Sequence, residues 1–150
     1  MPKPRELSET AQRILALLEE AGEDAVSSTI NTVFLPPRSA EAMDNFVTAL
    51  LDLVNSGYAR MAQDRDASRR LVDLDIPLSV AAVLAIPTYI QFVENPPSAG
   101  DDPEWVDTRS KGPPYAMMLP RIVLTTDGSA KADEIMTARG WEWWIPRAKK

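Results

Sequence analysis

The sequence predicts a mainly helical α+β fold with a small antiparallel sheet, read as one domain of 150 residues. Three observations lead there. Apolar residues recur at intervals of three and four in several stretches, the spacing that places them on one face of a helix. Two later runs, 115–119 and 121–126, are rich in bulky and β-branched residues, as strands are. Glycine and proline fall between these stretches, so the 13 prolines read as punctuation and not as a Pro-rich tail. Hydrophobic residues make up 45% of the chain and charged ones 25%, a balance that supports a packed core.

Taken in order, Leu7, Ala11, Ile14, Leu15 and Leu18 define a first helix over Glu9–Ala21, with Ser8 as its N-cap and Gly22 as its stop. Val26, Ile30, Val33 and Phe34 share one side of a short second helix that Pro36-Pro37 ends. Ser39 caps a third, in which Met43, Phe46, Val47, Leu50 and Val54 make the apolar face and Asn55-Ser56-Gly57 the terminus. Residues 58–61 read as a short strand, and 64–70 as a charged loop. Pro77 to Ala85 reads as a buried helix, with Pro87 opening a second helical piece over 88–94, since proline is tolerated in a first turn. Residues 95–114 form a long Pro/Gly loop. After the two strand-like runs, Asp127-Gly128 turns the chain, Ser129 caps a last helix over 130–139, and Gly140 ends it.

The third helix closes with Leu50-Leu51-Asp52-Leu53-Val54-Asn55-Ser56-Gly57-Tyr58, a pattern L-x-x-L-x-x-x-G-Y, and the later strand runs into Leu124-Thr125-Thr126-Asp127-Gly128, L-T-x-x-G. In this order the motifs resemble the winged helix-turn-helix superfamily, including MarR-like and PadR-like regulators, over about residues 7–62 and 121–139. The resemblance implies a winged-helix core in 7–62 and 115–145 with a small β-wing, an insertion over about 63–114, and DNA binding as a transcription regulator. An ordinary wing has only a few residues between its strands, whereas here about sixty separate Met61 from Ile122. Either the wing carries a helical insertion or the L-T-x-x-G match is accidental.

If the resemblance holds, the third helix is the one that enters the major groove, and Asn45 and Thr48 are its base-reading candidates. Arg38 before it, and Arg60, Arg65, Arg69 and Arg70 after it, are the phosphate-contacting candidates. Two features oppose this. Residues 39–56 carry Glu41, Asp44 and Asp52 and no Lys or Arg, and Asp64, Asp66 and Asp73 are interleaved with the arginines. The chain as a whole carries a net charge of −6, which repels phosphate. The alternative is a non-enzymatic protein-interaction module on the same fold, using the acidic third helix and the cluster Trp141, Trp143 and Trp144, which also suits a homodimer contact.

The chain contains no Cys and no His, which removes disulfides, thiol nucleophiles, zinc sites built on those ligands and the usual neutral-pH general base. Its six glycines allow neither G-x-G-x-x-G nor a P-loop. No enzyme, cofactor or metal site is expected. Residues 76–93 lack charge, but prolines and flanking acids make a membrane span a poor reading. With no signal peptide in view, a cytoplasmic location is expected.

Overall fold

The structure, a computed structural model, describes residues 7–21, 23–34, 39–65, 70–93, 104–108 and 121–140, with backbone alone at 23–25, 27, 63–65, 70–73, 104 and 106–107. Among the described residues, five helices and six strands follow in the order α1 (Glu9–Ala21), β1 (Glu23–Ala25), α2 (Val26–Val33), α3 (Ala42–Asn55), β2 (Ala59–Arg65), β3 (Arg70–Asp73), α4 (Ile76–Ala85), a 3-10 turn (Ile86–Thr88), β4 (Ile90–Val93), β5 (Glu104–Asp107), β6 (Arg121–Leu124) and α5 (Thr126–Arg139). The expected class, α+β and mainly helical, is what the chain adopts.

α1 is the central helix. Its apolar face, with Ala11, Ile14, Leu15 and Leu18 fully buried, packs against α2, α3 and α5. Ser8 starts it as its chemistry predicts: the hydroxyl accepts the Ala11 N–H at 3.1 Å, one of the donors a first turn leaves unpaired. α3 adds Phe46, Leu50 and Leu53, all fully buried, and α5 closes the core with Ala132, Ile135 and Met136. The ends of α1 and α5 are tied by the Arg139 guanidinium, which bonds the Glu9 carboxylate at 2.8 Å and Gln12 at 2.9 Å. That cation holds the Glu9 carboxyl below the usual carboxylate range.

Strands β1, β6, β2 and β3 form one antiparallel sheet in that order, and β4 and β5 a separate antiparallel pair. Met61 and Ile122, about sixty residues apart in sequence, are direct register partners, so β6 returns to β2 after everything between them. β6 pairs with Ala59–Ala62 only, while β3 pairs with residues 62–65 on the other edge. The β2–β3 ladder therefore continues past the end of β6 by three residue pairs and finishes on Arg65 opposite Arg70.

Several sequence expectations are corrected. Glu23–Ala25, too short to show a period, is a strand that β6 recruits. α3 begins at Ala42 and has no side-chain cap; Ser39 contributes its carbonyl, which accepts the Ala42 N–H at 3.1 Å. Asp64, Arg65 and Arg70 lie in strands and not in a loop, because the β2–β3 pairing supplies their backbone partners. Pro87 sits in the 3-10 turn, and the helix expected over 88–94 is a strand over Ile90–Val93: Ile90, Phe92 and Val93 favour strand once β5 is there to pair with. β5 in turn lies inside the expected 95–114 loop. α4 is not buried all round, since Leu78 and Leu84 are more than half exposed. α5 starts at Thr126 with Thr125 as its cap; Ser129 lies in the first turn, and its hydroxyl donates to the Glu19 carboxylate at 2.7 Å. The strand expected over 115–119 and the stop at Gly22 lie outside the described residues.

One side chain docks the small sheet on the helices. The Asn31 amide of α2 donates to the Trp105 carbonyl at 2.7 Å and accepts the Trp105 N–H at 2.8 Å. It pairs with β5 as a further strand would, covering part of an edge that otherwise invites another chain. Trp105 stacks at a tilt on Phe92 across the pair, with ring centroids 5.0 Å apart. Asn31→Ala is expected to lower stability by about 1–2 kcal/mol, because two bonds to backbone groups are lost together. Amide hydrogen exchange should show the Trp105 N–H losing protection ahead of the core of α1.

Candidate nucleic-acid interface

The two sequence motifs meet in space and set the geometry between α3, β2 and β6. Gly57, at φ 82°, is in the left-handed conformation that lets the chain leave α3 and enter β2. The N–H of Thr125 donates to the Tyr58 carbonyl at 3.1 Å, and its hydroxyl donates to the Gly57 carbonyl at 2.7 Å. That same hydroxyl accepts the Gly128 N–H at 2.9 Å, capping α5. Gly128 is buried, and a Cβ on it would overlap the Tyr58 carbonyl oxygen. L-T-x-x-G and G-Y are thus the two halves of one backbone clasp, which fixes how β6 returns beside the end of α3.

Glu41 just before α3, and Asp44, Asn45 and Thr48 on it, are exposed and Asp52 is half-buried, so the outward face is the one the periodicity predicts. Asn45 and Thr48 stand on the solvent side of a helix whose opposite face is locked in the core. The neighbouring exposed charges on that helix are all carboxylates. Residues 42–55 contain no Lys or Arg.

The arginine candidates separate into three groups. Arg60 is half-buried on β2, and its guanidinium turns back to donate to the carbonyls of Ala59 at 3.1 Å and Val54 at 3.5 Å. A cation there complements the C-terminal end of α3, a packing role that the sequence reading missed. Arg65 and Arg70 form the last pair of the β2–β3 ladder, brought together by register although four residues separate them. Arg38, Arg69 and the cluster Trp141, Trp143 and Trp144 lie outside the described residues. Of the seven DNA-contact candidates, then, the fold brings Arg65 and Arg70 together, leaves Asn45 and Thr48 exposed, and engages Arg60 with backbone.

No family model, curated protein or solved structure matches this chain. Among the described residues no group of three or more acidic side chains is placed to hold a metal ion. No helix among them is long and apolar enough to cross a membrane.

Proposed function

We propose that this chain is a winged-helix, DNA-binding protein of the transcription-regulator type. The observation that carries the reading is the β2–β3 ladder, which follows α3 directly, runs past the edge of β6 and ends on the Arg65–Arg70 pair. Two arginines paired in register at the end of that ladder suit phosphate oxygens, which Arg engages in paired, charge-assisted bonds. The return of β6 to β2 supports the winged-helix part of the reading, because it explains the sixty-residue separation as an insertion between two paired strands. In this reading α3 enters the major groove with Asn45 and Thr48 toward the bases.

The test is fluorescence polarisation with labelled duplex DNA across a salt series. Binding is expected to weaken as salt rises, with the slope of log K against log salt falling by about 0.9 for each phosphate contact removed. Replacing Arg65, Arg69 and Arg70 together by Gln should therefore flatten the slope by about 2–3 and weaken binding by a factor of ten or more. Absence of binding at low salt, or binding indifferent to salt, would defeat the reading.

A second reading, a non-enzymatic protein-interaction module on the same fold, is favoured by one observation. The face of α3 that would meet DNA exposes Glu41 and Asp44 and carries no cation. Carboxylates at that place repel phosphates and attract a basic protein surface.

A further inference from the structure

We propose that Asp44 makes α3 a reader of cytosine: its carboxylate accepts the N4 amino group that cytosine shows in the major groove, beside an adenine read by Asn45. The inference rests on the first reading above, that the chain binds duplex DNA through α3, and adds to it the bases that the helix selects.

The residues share one narrow strip. Asp44, Asn45 and Thr48 are exposed on α3, and Glu41 is exposed just before it. Successive helix residues turn by about 100°, so these four positions fall within about 100° of arc. Asp44 and Thr48 lie about 6 Å apart along the axis, about two base-pair steps, so the strip meets two or three pairs. Asp44 and Asn45 belong to the N-terminal part of the helix, the part that a recognition helix brings to base edges. Among the described residues no hydrogen bond or ion pair engages the side chains of Asp44, Asn45 or Thr48. The strip is firmly presented. Phe46, Leu50 and Leu53 are fully buried on the opposite side, and the Arg60 guanidinium bonds the Val54 carbonyl near the far end.

Hydrogen-bonding chemistry selects the base. An ionised carboxylate only accepts hydrogen bonds. In the major groove guanine shows the acceptors N7 and O6, thymine the acceptor O4 and a methyl group, and adenine an acceptor beside its amino donor. Cytosine alone shows a donor with no acceptor of its own beside it. A carboxylate therefore fits cytosine and is repelled by the edges of guanine and thymine. Asn45 carries a donor and an acceptor together, the combination that adenine N7 and N6 require. The commonest guanine reader is a cation bidentate to O6 and N7, and residues 39–56 contain no Lys or Arg. The face of α3 is thus suited to amino groups and not to bare acceptors. The carboxylates that weaken attraction to phosphate act as a base filter, and attraction is left to Arg65 and Arg70 at the end of the β2–β3 ladder.

The test is selection from a randomised duplex pool by the full-length chain at low salt, followed by polarisation on the enriched sequence. The selected duplexes are expected to hold a cytosine within one or two base pairs of an adenine. Exchanging that cytosine for thymine or guanine, with its partner, should weaken binding by about tenfold or more. Asp44→Ala should erase the difference, so that the three duplexes bind alike. Asp44→Asn should move the preference to adenine at that pair, because an amide adds a donor. Circular dichroism checks the folding of both variants. R65Q/R70Q should weaken all duplexes by the same factor and leave the preference in place. No binding at low salt overturns the DNA reading and the proposal with it. Salt-dependent binding without base preference, or with a cytosine preference that survives D44A, overturns the proposal alone. So does an equal loss on every duplex in D44A and D44N, the result that a merely structural Asp44 would give. Binding of an oligolysine peptide that D44A abolishes, with no base preference in DNA, would assign the carboxylate to a basic protein surface and overturn the proposal too.

Discussion

Gly128→Ala is expected to destabilise the protein by about 2 kcal/mol, although the same exchange at an exposed helix position stabilises by about 1 kcal/mol. The difference is space. Gly128 lies in the first turn of α5 and its backbone is not among the positive-φ glycines, so conformational freedom is not the reason for glycine here. A Cβ would overlap the Tyr58 carbonyl oxygen and lie 2.8 Å from both the Tyr58 carbonyl carbon and Leu124 Cδ1. Leu124 could rotate away, but the carbonyl cannot: it accepts the Thr125 N–H at 3.1 Å and belongs to the backbone where α3 passes into β2. Relief therefore requires α5 to move off the clasp, which loosens its packing on α1 as well. Urea unfolding should show the midpoint falling by about 1 M at unchanged slope. A midpoint that stays or rises would mean that the close approach of α5 to Tyr58 is not a feature of the folded protein. Because the clasp sets where β6 returns, the variant should also weaken any function that needs the β2–β3 ladder in place, and the salt series described for DNA provides that second readout.

What the sequence reveals of this fold follows from how local each signal is. α1 is legible from end to end because its apolar period and its Ser8 cap both act within one helix turn, and Gly57 and Gly140 mark helix ends for the same reason. The strands are less legible. β1, β4 and β5 are three or four residues long, and each is fixed by a partner distant in sequence: β1 by β6, β4 and β5 by one another. At α4 the uncharged run reads as core because composition reports how apolar a helix is, not whether anything covers it; the structure leaves Leu78 and Leu84 exposed. Thr125 and Ser129 are both good caps, and the choice between them depends on Thr125 also reaching the Gly57 carbonyl across sixty-eight residues. In the candidate site, the outward positions of α3 are periodic and so readable. The turning of Arg60 toward Val54, and the register that sets Arg65 against Arg70, come from pairings no local pattern encodes.

Ser79→Ala should cost about 2 kcal/mol, from a change of one oxygen atom. Ser79 is fully buried on α4, and its hydroxyl does two things: it accepts the Met61 N–H at 3.1 Å and donates to the Leu74 carbonyl at 3.0 Å. Beside it the Leu74 N–H donates to the Met61 carbonyl at 2.8 Å. The β2–β3 ladder ends at Ala62 opposite Asp73, so at the next pair one bond is direct and the other runs through the serine hydroxyl. Alanine fits the same volume but leaves a buried N–H and a partly buried carbonyl without partners, and such groups keep their full desolvation cost of about 1–3 kcal/mol. The loss has a location as well as a size. Met61 is also the register partner of Ile122 across the β2–β6 pair, and its backbone ties β2 to α4 and to Leu74 just past β3. Native-state hydrogen exchange should therefore find the Met61 amide, normally protected with the core, exchanging faster in the variant than the amides of α1. Unchanged exchange at Met61, together with an unchanged urea midpoint, would show that the hydroxyl does not stitch α4 to the sheet.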